Sequence, residues 1–149
     1  MLPVLPVVLL GLLFPSHISS ASSYNQKYKG FYIATVFHAA INQLNSNWKS
    51  ILSEQLSDVA NCGLLNVTTE FHVTLTISKS DAFDLKGETA LDEGEDLIGD
   101  VLQLYTNIVY IHRVPTNAFE YSSIRLLKRI AHKFSPENEV LLLYFHAKG

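Results

Sequence analysis

Histidines that close apolar runs, and one lysine beside them, are the side chains in this sequence best suited to chemistry. His38 follows the run from Phe31 to Phe37 (FYIATVF), His112 ends NIVYIH, and His146 follows VLLLYF. If these runs are parallel strands, their carboxyl ends share one rim and the three imidazoles converge there. Such a rim can ligate a metal or hold a phosphate. Histidine also simply caps strands where a chain leaves its core, and no carboxylate stands at comparable spacing to complete a metal set. No metal site is therefore assigned. The segment His146-Ala147-Lys148-Gly149 adds a cation and a glycine that lets backbone approach a ligand, a pattern suited to a phosphate or diphosphate. An ordinary strand-to-loop exit with a solvated lysine has the same pattern. His38, His146, Lys148 and Gly149 are the candidate binding residues, and no catalytic residue is assigned.

Other constellations carry less. Residues 81–100 hold eight acids against one lysine, including Asp92-Glu93-Gly94-Glu95-Asp96. Clustered carboxylates can bind Ca²⁺ or Mg²⁺, but the ligand rhythm of an EF-hand loop is absent, so a solvated loop is expected. No GxGxxG, Walker loop, GxSxG or HExxH occurs, and neither does an Asp-x-Asp pair. Asn66-Val67-Thr68 is a glycosylation sequon, which suits a lumenal chain.

The elements that must position these residues follow from periodicity. FYIATVF is β-branched and aromatic throughout, as in a strand covered on both faces. Asn45 and Asn47 offer N-caps for a helix from Trp48, whose stripe is Trp48, Ile51, Leu52, Leu56 and Val59. Gly63 stops it, with Leu64 packing back. Phe71 to Ile77 alternates apolar and polar, which predicts a strand near a sheet edge. The acidic loop should lead into a short helix over 95–105, and Asn107 to His112 into a third strand. Asn117 with Glu120 resembles a capping box. The helix after it should bury Tyr121, Ile124, Leu127, Ala131 and Phe134, with Lys128, Arg129 and Lys133 near its negative pole. Val140 to Phe145 is the most apolar run and the expected central strand. Strands alternating with helices predict an α/β fold: a mostly parallel sheet with helices on both faces, Rossmann-like.

Met1 to Phe14 contain no charged side chain, and Ser19 and Ala21 suit signal peptidase. The apolar core from Val7 to Phe14 is too short to span a bilayer, which takes about 20 residues. The expected organisation is a signal peptide over 1–21, a short leader over 22–30 and one domain over 31–149. Cleavage would give a secreted or lumenal product with no membrane span; a short signal anchor is the competing reading. Cys62 is alone, so no intrachain disulfide forms, and a buried, inert thiol is expected. A net charge of −3 with no basic stripe gives no electrostatic case for nucleic acid.

Several segments together are similar to a family of glycosyltransferase-like proteins. These are a strand ending in His38, Asn47-Trp48-Lys49 opening a helix, Cys62-Gly63-Leu64, Phe119-Glu120-Tyr121, and Leu143-Tyr144-Phe145-His146-Ala147-Lys148-Gly149. The resemblance covers about Phe31 to Gly149. It implies a GT-A-like domain that binds a nucleotide sugar, with a divalent metal or fixed cations to stabilise the leaving diphosphate in an active transferase. Ala147 stands where the family has Thr, and Ser122 where Pro is common. The family continues past Lys-Gly, so the expectation is its amino-terminal, sugar-nucleotide-binding part. The alternative is a non-catalytic secreted α/β module or a truncated, inactive fragment.

Overall fold

The computed structural model describes residues 31–77, 85–114, 120–134 and 139–147. The segments expected to be signal peptide and leader, together with Asn117, Lys148 and Gly149, lie outside the described residues.

Four strands, β1 (Tyr32–Ile41), β2 (Glu70–Ile77), β3 (Val109–Val114) and β4 (Val140–His146), alternate with three helices. The helices are α1 (Trp48–Asn61), α2 (Leu85–Val101) and α3 (Tyr121–His132). The sheet order is β3-β2-β1-β4 and every pairing is parallel. Helices α1 and α2 bury Leu52, Leu56, Leu91 and Ile98 with Phe37, Phe71 and Leu75 on one face. Helix α3 buries Leu126 and Ile130 against Ala34 and Val36 on the other. The chain is thus an α/β protein of Rossmann-like architecture, as its alternating pattern predicts.

The α1 stripe forms as expected, with Leu52, Leu56 and Val59 buried. Asn47 is the N-cap residue, yet its side chain makes no capping bond. Instead Asn45 Oδ1 accepts from the Asn47 amide at 3.0 Å. Gly63 takes the left-handed conformation at φ +80, where a side chain would be strained. The Cys62 thiol is half-buried and donates to the Val59 carbonyl.

Four expectations change. The β4 strand lies at one edge of the described sheet rather than at its centre. Its apolar sequence reflects two covered faces: Leu142 and Tyr144 pack with the α3 cluster, Phe145 with the other. The alternating β2 is interior, and its polar residues His72, Thr74 and Thr76 are buried. His72 and Thr74 can be buried because each is hydrogen-bonded, His72 to Glu70 and His112 and Thr74 to Ser123 and the Phe37 carbonyl. Helix α2 spans Leu85–Val101, so most of the acidic stretch is helix and not loop. Its acids Glu88, Asp92, Glu93 and Asp96 are exposed, while Ala90, Leu91, Gly94 and Ile98 face the sheet. Gly94 is a point of close approach: a Cβ there would lie 2.8 Å from Ile41 Cδ1 and 3.1 Å from Leu75 Cδ2. Finally, α3 is rotated from its predicted face. Ser123, Leu126 and Ile130 are buried, whereas Tyr121 and Ile124 are 63% and 52% exposed. A serine displaces two apolar residues because the sheet beneath it is polar.

Candidate functional site

Parallel register places His38, Thr74, His112 and His146 in one row across the sheet: His38 pairs with Thr74 and His146, and Thr74 with His112. Residues paired in this way point to one face. That face is the one under α3, since Ser123 reaches both His38 and Thr74. His38 and His146 are thus neighbours, while His112 stands two strands away, roughly 10 Å at the usual strand spacing. The strand ends are also later than predicted. His146 ends β4, but β1 runs on to Ile41 and β3 to Val114.

The first cluster is a chain of donors. His38 Nδ1 lies 3.0 Å from Ser123 Oγ and 3.3 Å from Thr74 Oγ1. Ser123 and Thr74 hydroxyls are in close contact, and Thr74 Oγ1 donates to the Phe37 carbonyl at 3.4 Å. One direction satisfies every group: His38 Nδ1–H to Ser123, Ser123 to Thr74, Thr74 to Phe37. In that direction Ser123 accepts from His38, so the imidazole is not its general base. The pair is buried, with Ser123 0% and His38 4% exposed. Burial lowers the His38 pKa; Glu120 opposes that and His146 adds to it. His38 is therefore a neutral Nδ1–H tautomer whose Nε2 carries the lone pair.

His146 is exposed and lies 3.9 Å from Glu120, the residue at the N-terminus of α3. The following Ala147 amide donates to the His38 carbonyl at 2.8 Å, which ties the exit of β4 to β1. On the opposite face of the same junction is a small pocket of about 20 Å³, lined by Ala40, Asn42, Asn45, Trp48 and Ala147 among others. It has room for little more than a water molecule.

The second cluster lies across β2 and β3. His72 Nε2 is 3.1 Å from Glu70 Oε2, and His72 Nδ1 is 2.9 Å from His112 Nε2. Tyr32 also hydrogen-bonds Glu70, and Tyr110 stacks on His72 with centroids 5.0 Å apart. Burial pushes the Glu70 carboxyl up, but the Tyr32 and His72 hydrogen bonds and Lys133 outweigh it, so the net shift is down. Burial lowers His72 against the pull of Glu70, and Lys133 and Arg129 lower it further. Burial, His72, Arg129 and Lys133 all lower His112. Among the described residues no group of three ligating side chains is arranged to hold a metal ion.

Sequence reasoning finds His38, His112 and His146 but misses Glu70, His72, Thr74 and Ser123. The signal was the polar alternation Glu70-x-His72-x-Thr74-x-Thr76, which reads as a solvated face. It also misses a basic surface on α3, where Arg125, Lys128, Arg129, His132 and Lys133 line a cleft of about 410 Å³. Spread three and four apart, these cations form no run in the sequence, and the helix gathers them. Asn66, in contrast, is exposed as a sequon asparagine should be, its Oδ1 accepting from Tyr105.

No family model, curated protein or solved structure matches the chain.

Proposed function

We propose that the chain binds a nucleotide sugar through its diphosphate at the carboxyl rim of β1 and β4, as the donor-binding part of a glycosyltransferase-like protein of the secretory pathway. One observation carries this reading. From β1 the chain builds outward through β2 and β3, then returns to the other side of β1 for β4. The order reverses between β1 and β4, and open α/β sheets bind ligands in the crevice outside such a reversal. His38 and His146 flank it in register.

In this reading Lys148 supplies positive charge and His146 contacts the diphosphate beside it, and Gly149 lets the backbone come close. His38 lies beneath, and because Nδ1 is committed to Ser123 its Nε2 lone pair can accept only from a hydroxyl of the bound nucleotide sugar. Fixed cations of this kind stabilise a departing nucleoside diphosphate, as a divalent metal does in other transferases. Export and glycosylation at Asn66 belong to the same reading.

Thermal unfolding with a panel of uridine and guanosine diphosphate sugars tests the site, since a ligand that binds only the native state raises the melting temperature. At least one sugar nucleotide should raise it by several degrees, and His146→Ala or Lys148→Ala should remove the rise. No rise with any member, or a rise that both variants keep, would overturn the assignment.

A further inference from the structure

Helix α3 packs on β1 and β4, and its Ser123 reaches over to β2. Beyond it the same face of the sheet carries the Glu70–His72–His112 chain, with Tyr110 46% exposed on β3. A partly buried carboxylate and two imidazoles are costly to desolvate, and an apolar trio of equal volume would hold the sheet at least as well. The chain also has a direction. Ionised Glu70 accepts from His72 Nε2–H, so His72 Nδ1 has the lone pair and must accept from His112 Nε2–H. His112 is left with its lone pair on Nδ1. Its ring is half-buried, whereas that of His72 is buried.

The cations complete the arrangement. Arg129 and Lys133 are exposed on α3, line its basic cleft, and lie close enough for their charges to act on both imidazoles. No salt bridge to either is found among the described residues. Two cations within charge range of an imidazole that can take a proton match a tetrahedral dianion, which needs both charge and a donor.

We propose that the step between α3 and β3 is a second, proton-coupled oxyanion site, in which Arg129 and Lys133 hold a phosphate or sulfate group and His112 donates to it from Nδ1. Binding neutralises the two cations that oppose protonation of His112. The imidazolium then formed is stabilised through His72 by Glu70. The anion and a proton bind together, and Tyr32, its pKa raised by burial and by Glu70, stays neutral throughout.

Histidine ring resonances followed by NMR across pH 5 to 8 test this, with sulfate as probe because it stays doubly charged over that range. His112 is identified by the resonance that His112→Gln removes. Sulfate should raise the His112 midpoint by about one pH unit relative to sodium chloride of equal ionic strength. That corresponds to about tenfold tighter sulfate binding at low pH. Arg129→Ala and Lys133→Ala, both at exposed positions that leave the fold intact, should each remove most of the shift. Repeating the titration with inorganic phosphate and with glycerol phosphate at pH 6 separates a free-ion site from an ester site by which binds tighter. A midpoint that sulfate does not move, or a shift that survives both substitutions, would sink the proposal. His146→Ala must leave the response intact, so failure here and failure at the β1–β4 rim are separate results.

Discussion

At the residue scale the molecule is organised around imidazoles whose tautomers are set by their neighbours. His38 is an Nδ1–H tautomer because the hydroxyls of Ser123 and Thr74 pass its proton toward the Phe37 carbonyl. His72 and His112 are Nε2–H tautomers because Glu70 sits at the inner end of their chain. Thr74→Val should therefore cost about 1–3 kcal/mol, the range for a buried polar group left without its partner. The urea midpoint reads this directly. Adding Ser123→Ala should cost less than the two single losses together, since both hydroxyls belong to one network. Strict additivity in that double-mutant cycle would show that the two hydroxyls act independently. Cys62 fits the same scale: with its thiol donating to Val59, it is a structural side chain.

The elements show how local patterns are reinterpreted by packing. Glycines in the acidic segment read as helix breakers, yet Gly94 and Gly99 both lie within α2 and do different things. Gly94 is where the helix touches Ile41 and Leu75, whereas nothing lies within 4 Å of a Cβ at Gly99. Gly99→Ala should stabilise by about 0.5–1 kcal/mol through helix propensity and a less flexible unfolded chain. Gly94→Val should destabilise by about 1–3 kcal/mol through overpacking. Thermal midpoints of the two variants should move in opposite directions, and movement in the same direction would refute this packing of α2. Lys49–Glu93 at 2.9 Å and Arg113–Asp92 at 2.7 Å join α1 and β3 to the acidic helix. Both are exposed pairs, each worth at most about 1 kcal/mol.

For the whole molecule, charge and protonation are divided between the faces of the sheet. Acids of α2 lie on one side and the cations of α3 on the other, although the net charge is only −3. Buried imidazoles on the α3 side make stability depend on pH. His38, His72 and His112 all have folded pKa values below the ordinary 6.5. Above that value both states are neutral and the full stability is present. As pH falls below 6.5 the unfolded chain takes up protons that the native state refuses, and stability declines. Glu70 adds a second loss as pH falls below 4.5, because its folded pKa is lowered. Urea midpoints should thus fall between pH 7.5 and pH 5.5, and the fall should be smaller in His112→Gln. A midpoint independent of pH across that interval would contradict neutral burial of these histidines.

The alternation of strand and helix, and hence the parallel α/β fold, is determined by the sequence alone. Hydrophobic period is a local property, and FYIATVF, the Trp48 stripe and VLLLYF carry it plainly. The sequence places His38, His112 and His146 toward the carboxyl ends of parallel strands, but His38 and His146 are neighbours only because β4 lies beside β1. Strand order does not follow from local pattern. An apolar run such as β4 reports that both its faces are covered, not that it has a neighbour on each side. A polar run such as Glu70 to Thr76 looks solvated until Ser123 and His112 supply its hydrogen bonds. Those partners lie about 40 to 50 residues away in the chain. Only tertiary structure brings them within 3 Å, so only it could show that the polar face of β2 is buried and hydrogen-bonded.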